Sequence, residues 1–329
     1  MPTILHRRQL LKHGVAAAAA LALPWHATAA ELPSLIKIVV PLPAGGALDN
    51  VLRGFSETLS KKLRRTVIVE NKPGASGLIA AQAVVNAAPE TATLLYLHGG
   101  LVTLEALTGK PQILKQFKPI ARVTSTPHLL VVRGDSPYKT QADLIAAAQA
   151  APGKLNYGSG GYGSPVHMMV EVMRDTTSKP FVATHIPYKG SVEAVLALVG
   201  GQIDFVFAVS SVVAEHIKTG SLRALSVAAE GRIEEFPNVP TVAEAGLTGY
   251  RFQSWGGIVA SSRMDDDLVA QFATAIEQMK GSADFLRVAK ASGVHVVASK
   301  SPSEFSAYIA AELAGQRELV KRLGLKAGA

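Results

Sequence analysis

Two glycine-bearing turns hold the residue types best suited to chemistry. The first is Pro41-Leu42-Pro43-Ala44-Gly45-Gly46-Ala47-Leu48-Asp49, between a β-branched run and a helical pattern. Its prolines fix the chain's direction, and its paired glycines expose backbone N–H groups at a helix start. Unpaired donors and the helix dipole favour an anion there. The plainer reading is a tight strand-to-helix turn in which Asp49 only complements the dipole. The second turn is Gly158-Ser159-Gly160-Gly161-Tyr162-Gly163-Ser164. Its spacing, and its place after a strand and before a helix, match a dinucleotide fingerprint. No acid stands near 185–188 to hold a ribose, which opposes that ligand. A helix start with the hydroxyls of Ser159 and Ser164 would hold a carboxylate equally well, and glycines serving only the turn are the bland alternative.

Other chemistries are excluded or weak. The chain has no cysteine, which removes disulfide scaffolds, cysteine-held metals and thiol nucleophiles. His98, His128, His167, His185, His216 and His295 show no His-x-x-x-His spacing. His167 and Glu171 are four apart, but no third ligand accompanies them, so a hydrogen-bonded structural histidine outweighs a metal site. Neither a Gly-x-Ser-x-Gly elbow nor a phosphate-binding Gly-x-x-x-x-Gly-Lys loop occurs. No metal, cofactor or catalytic group is expected.

The elements that must position these turns follow from composition and period. The 329 residues suit one or two domains, and 48% hydrophobic with 18% charged residues is globular. The net charge is +8, of which Arg7, Arg8 and Lys12 lie in the first thirty residues, leaving +5 for the rest. That mild, evenly spread excess fits an anionic ligand and argues against nucleic acid. Residues 1–30 run from basic (His6, Arg7, Arg8, Lys12, His13) through an alanine-rich stretch to Ala27-Thr28-Ala29-Ala30. The apolar part is about half the roughly 20 residues of a membrane span, so the segment reads as a signal peptide. Arg7-Arg8 resembles the twin-arginine export motif, with a Sec signal as the alternative. The mature chain is expected to be soluble and exported.

Strands at 35–41, 66–70 and 93–97 alternate with helices at 48–63 and 78–88, which predicts right-handed βαβ units. The pattern restarts with strands at 128–133, 155–157, 185–187, 203–208 and 222–227 and helices at 140–150, 164–174, 191–199 and 212–218. Residues 237–250 read as loop and 251–260 as extended. Helices at 266–279 and 303–323 close the chain, with a strand at 294–297 between them. The spacing implies two α/β lobes, the C-terminal third returning to the first.

These loops, in this order, resemble the Bug family of periplasmic solute receptors of tripartite tricarboxylate transporters. The pattern is carried by 36–49, Val69-Glu70-Asn71-Lys72-Pro73-Gly74-Ala75-Ser76-Gly77, 152–167 and Ile186-Pro187-Tyr188-Lys189-Gly190. Gly200-Gly201-Gln202-Ile203-Asp204, 222–226 and 237–249 carry it further. The resemblance implies a two-lobed α/β flytrap fold with crossing strands near 128–133 and 251–260. Lobe 1 would be 31–127 with 253–329, and lobe 2 would be 128–252. It also implies a monomer that hands a small carboxylate to membrane subunits, without a cofactor. Pro43, Ala44, Gly45, Gly46 and Asp49 would form the first ligand loop. Ser159, Gly160, Gly161, Gly163 and Ser164 would cap a carboxylate from the second, with His167 supporting that loop.

Departures from the family pattern bear on the ligand. His98, followed by Gly99, stands where a small hydroxyl residue is common, and Ala208 lies where many members carry an acid. With Phe207 and Val209 beside Ala208, and His98 as donor, the ligand leans to a dicarboxylate, and slightly to an aromatic one such as a phthalate isomer. A secreted enzyme acting on a carboxylate and a sensor-only receptor for a kinase are the competing classes. Replacing Arg7 and Arg8 by lysine is expected to leave precursor in the cytoplasm; normal processing of that variant on immunoblots of periplasmic extracts returns the assignment to the Sec route.

Overall fold

The computed structural model describes residues 31–88, 91–109, 113–250, 252–297 and 299–325. The signal peptide expected at 1–30 lies outside them. The chain opens with β1 (Leu35–Val40), α1 (Ala47–Leu63), β2 (Thr66–Asn71), α2 (Leu78–Val85), β3 (Ala92–His98) and α3 (Gly99–Thr108). β4 (Phe117–Thr126) and β5 (His128–Arg133) follow, separated only by Pro127. Next come α4 (Gln141–Ala150), β6 (Asn156–Ser159), α5 (Pro165–Thr176), β7 (Thr184–Pro187), α6 (Ser191–Val199), β8 (Phe205–Val209), α7 (Ser210–Lys218) and β9 (Leu222–Ala228). β10 (Ser254–Ser261), α8 (Asp266–Met279), α9 (Ala283–Ala291), β11 (His295–Val296) and α10 (Pro302–Leu323) complete the order.

Two sheets result. The first runs β11-β4-β10-β3-β1-β2 and the second β7-β6-β8-β5-β9. In the first, β2, β1 and β3 are parallel, and β10 is antiparallel to both β3 and β4. In the second, β7, β6 and β8 are parallel, with β5 antiparallel to β8 and β9. Parallel strands must be covered on both faces, which is why β3 reads as a continuous apolar run and is buried over its first six residues. The cover in the first lobe includes α1, whose Val51, Leu52, Phe55 and Leu59 form a buried stripe at helical spacing. Asp49 in its first turn and Lys61 and Lys62 in its last complement the dipole. Buried apolar residues fall into separate cores. One is built between Leu129 and Tyr250 around β5, β6 and β8. Another joins Val39, Leu95 and Leu97 to Trp255, Val259 and Phe305.

The chain passes from the first sheet to the second at Pro127, just before the stretch expected to cross, and returns to the first in β10. Three elements escaped the sequence pattern. Helix α3 hides behind two glycines. Strand β4 is interrupted by Lys118, Pro119 and Arg122, with register irregularities against β10. Helix α9 is nine residues long and buries Phe285 and Ala289.

Gly256 shows how tightly β10 locks the first sheet. It pairs with His98 on one side and Thr124 on the other. A Cβ there would overlap the Tyr96 ring and hydroxyl, and Tyr96 is buried with its Oη 2.7 Å from Thr124 Oγ1. Gly256→Ala is therefore expected to destabilise the protein by about 1–3 kcal/mol, seen as a lower urea midpoint at unchanged m.

Candidate functional site

Both sheets contain the same topological device. From β1 the chain moves outward through α1 to β2, then back across β1 through α2 to β3. From β6 it moves outward through α5 to β7, then back across β6 through α6 to β8. At such a switch point the loops leaving two neighbouring strands diverge and open a crevice at their carboxyl ends, where open α/β sheets bind ligands. The loops concerned are 41–46 and 98–100 in the first lobe, and 160–164 and 209–210 in the second. Both turns singled out in the sequence thus stand at switch points.

In the first loop Pro43, Ala44, Gly45 and Gly46 are exposed. Gly46 caps α1 without any side-chain cap, so the first amides of the helix stay available. Asp49 has a different task from the ligand contact expected of it. It is 2% exposed, and its carboxylate accepts from Gly45 N (2.8 Å), Arg53 Nε (2.9 Å) and Asn71 Nδ2 (2.8 Å). Asn71 Nδ2 also donates to Leu42 O at 3.1 Å, and Arg53 Nη2 to Asn71 Oδ1 at 2.9 Å. Burial pushes the Asp49 pKa up, but the bonds from Arg53, Gly45 and Asn71 outweigh it and hold the carboxyl below its ordinary value. Asp49 organises the loop.

A neighbouring turn was not assigned as a site from sequence. After β2, Gly74, Ala75, Ser76 and Gly77 have φ of 121°, 46°, 52° and 96°. Ala75 and Ser76 in this left-handed region cost of order 1–3 kcal/mol each, and such outliers collect at ligand clamps and switches. Gly74 and Gly77 bracketing the pair were the available signal. Gly77 lies beside the His98 ring, its Cβ position 3.4 Å from Nε2. His98 caps α3, its Nδ1 accepting from Gly100 N at 2.9 Å. That leaves the proton on Nε2, and burial pushes the ring's pKa down to about 4. His98 is therefore neutral at neutral pH, and its Nε2–H remains the donor expected of it. Gly99 packs on the Trp255 indole, whose Nε1 donates to Glu312 Oε2 at 2.9 Å.

In the second lobe the expected contacts divide. The Ser159 hydroxyl is 1% exposed and committed to Gly161 and His185, so it shapes the loop. Gly163 N donates to His167 Nδ1 at 3.3 Å, and Ser164 N to Gly161 O at 3.2 Å. The amides of Gly160 and Tyr162 are left as the candidates for a ligand. Ser164 caps α5 by accepting from His167 N, which leaves its own proton free to donate. Ala208 and Phe207 have no exposed surface and belong to the core of the second lobe, because helices cover both faces of β8. Ala208 is accordingly no contact, and Phe207 forms no ligand wall.

The two sides meet at α3. A Cβ on Gly163 would lie 3.3 Å from Leu107 and 3.9 Å from Thr103. Elsewhere Ser211 Oγ donates to Ser292 O at 2.8 Å, and Arg322 grips Asp175 through two bonds of 3.0 and 2.6 Å. Two cavities in the first lobe, of about 390 Å³ beside Glu105 and Arg317 and about 430 Å³ beside Arg122 and Tyr308, are lined by none of the loop residues. The loops, where backbone donors gather at both switch points, are the better candidate. Among the described residues no three His, Asp or Glu groups converge on a metal position.

This is the architecture of a two-lobed periplasmic binding protein. Residues 51–325 match the model of the tripartite tricarboxylate transporter family receptor, and the chain belongs to that family. The UPF0065 protein in the gbd 5′ region of Cupriavidus necator is 36% identical over 278 residues, covering 83% of this chain and 84% of that protein. The structure of R. palustris Rpa4515 with adipate is similar, with a TM-score of 0.80 and 26% identity over 90% of this chain and 99% of that one. So is MatC (Rpa3494) from Rhodopseudomonas palustris with bound malate, with a TM-score of 0.75 and 27% identity over 88% and 100%.

Asp49→Asn keeps the shape of the side chain but turns a donor toward donors. It is expected to cost about 1–3 kcal/mol at neutral pH. The ionised carboxylate stabilises the fold fully above its ordinary value of 3.8 and stops doing so as the pH falls through the lower folded value. The gap between variant and wild type in urea titrations should therefore narrow below that pH.

Proposed function

We propose that this chain is a periplasmic receptor that captures a small dicarboxylate between lobe 1 (31–127 and 253–329) and lobe 2 (128–252). It would deliver the ligand to the membrane subunits of a tripartite tricarboxylate transporter. The observation carrying this reading is the presence, at both switch points, of backbone amides left unspent in a loop already tied down by other bonds: the first amides of α1 in the first lobe, and those of Gly160 and Tyr162 ahead of α5 in the second. A carboxylate at each end of the ligand would take up those donors, directly or through water. Pro43, Ala44, Gly45, Gly46, Gly99, Gly160, Tyr162 (through its amide) and Ser164 are the proposed contacts. Asp49, His98, Ser159, Gly161 and Gly163 are proposed to hold them in place.

The lean towards an aromatic diacid loses its Phe207 support, since that ring lies in the core. The adipate and malate complexes of the two similar receptors favour an aliphatic ligand. A receptor is also favoured over an enzyme. Ser159 and His185, in contact at 2.6 Å like a nucleophile and its base, are closed off because Ser159 is 1% exposed.

Calorimetric titration with malate, adipate, citrate, the phthalate isomers and aspartate tests the proposal. The expected result is one-to-one binding of an aliphatic diacid, recovered unchanged, with a smaller radius of gyration in small-angle scattering. Conversion of the diacid to product, or binding of aspartate with no response to any diacid, overturns it.

A further inference from the structure

The second-lobe loop rests on two histidines from different elements. His167, in the first turn of α5, accepts the Gly163 N–H on Nδ1. His185 comes from the edge strand β7, and its Nε2 lies 2.6 Å from Ser159 Oγ. That hydroxyl accepts from Gly161 N and lies within bonding distance of Gly161 O, both at 3.0 Å. The ring centroids of His167 and His185 are 4.7 Å apart. Tyr157 stacks on His185 at 5.0 Å, and Tyr162 covers His167 at 4.5 Å. The cluster is a floor of aromatic rings, and one nitrogen of each imidazole, His167 Nδ1 and His185 Nε2, is committed to the loop above.

We propose that His167 and His185 are positioning residues of the ligand loop. By engaging the Gly163 amide directly, and the Gly161 amide through Ser159, they fix the loop so that the Gly160 and Tyr162 amides are the ones presented to a carboxylate. The assignment rests on the reading of this loop as a carboxylate site.

The neutral form of His167 is required, because only an unprotonated Nδ1 accepts. The groups facing it are His185 from β7, Tyr157 from β6, Tyr162 from the loop, and Glu171 and Arg174 from its own helix. Helix α3 adds Thr103 and Leu107 against the loop, neither ionisable. Burial, with smaller contributions from His185 and Arg174, pushes the His167 pKa down to about 4. The native state therefore binds the proton less readily than the unfolded chain. The support is complete above the ordinary value of 6.5 and is lost as the pH falls towards 4.

The test compares His167→Leu, which keeps bulk without an acceptor, with His167→Asn, whose amide oxygen can take the place of Nδ1. His185→Leu and His185→Gln form the matching pair. Amide hydrogen exchange at Gly161 and Gly163 is read in ligand-free protein, and adipate affinity by calorimetry. The leucine variants should speed exchange at the amide they release and weaken adipate about tenfold, with the Asn and Gln variants recovering most of the loss. The ratio of wild-type to His167→Asn affinity, in which the ligand's own titration cancels, should fall as the pH approaches the folded value of about 4. Equal damage from Leu and Asn at 167, or unchanged exchange and affinity in a folded His167→Leu protein, overturns the proposal. If a leucine variant does not fold, the Gly163 amide nitrogen shift in the wild type decides: it must titrate together with the His167 ring. Absence of binding by the wild type of any carboxylate titrated above would refute the carboxylate reading, while the exchange rates still decide the positioning role.

Discussion

An α-helix cannot satisfy its own first amides, and the structure at the cleft is organised by that constraint. Each parallel unit brings two helix starts to one end of its sheet, where the switch in strand order spreads the loops apart. Left alone, those loops would fold back and consume the donors. Buried acceptors placed beside them prevent this by engaging selected amides and leaving the rest. The first lobe uses an ionised carboxylate, Asp49, held by Arg53 and Asn71. The second uses uncharged groups, the Ser159 hydroxyl and the His167 imidazole.

The difference has an electrostatic meaning. An anion beneath the first loop would repel an anionic ligand, and Arg53 on the same helix offsets it. Beneath the second loop the imidazole that takes the Gly163 amide is neutral, since burial keeps His167 unprotonated, and Glu171 behind it is paired with Arg174. Recognition is then left mainly to backbone dipoles, which are fixed by the fold and carry little rotamer entropy. A site made this way accepts many carboxylates in principle.

Much of this was legible because local and global signals agreed. The β-branched runs bounded by Pro and Gly, the apolar stripe Val51–Leu52–Phe55–Leu59 and the Gly-rich turns each pointed to the same parallel units. What stayed hidden depended on partners distant in sequence. β4 carries Lys118, Pro119 and Arg122 and becomes a strand by pairing with β10, more than a hundred residues away. The helix after β3 opens with two glycines, and its cap is an imidazole rather than a hydroxyl or carboxylate. Asp49 could be placed at a helix start, but Asn71, which turns it inward, lies on another strand. The family pattern places Ala208 at the ligand, whereas Phe207 and Ala208 are both fully buried in the second lobe's core.

Pro127 joins β4 to β5 as a single residue between two ladders. Lacking an amide hydrogen, it has no ladder donor to lose, so rotation about this point need not break a backbone bond from Pro127 itself. The strands on either side remain pinned within their own sheets. Because the ring also locks its φ, the joint is stiff, and any turning there is left to ψ of Pro127 and to the residues beside it. In a receptor that closes on its ligand, the balance between lobe arrangements would also rest on contacts far from the joint, such as the grip of Arg322 on Asp175. Drift in those surface contacts could retune the concentration range over which the protein responds while every ligand-facing atom stays the same.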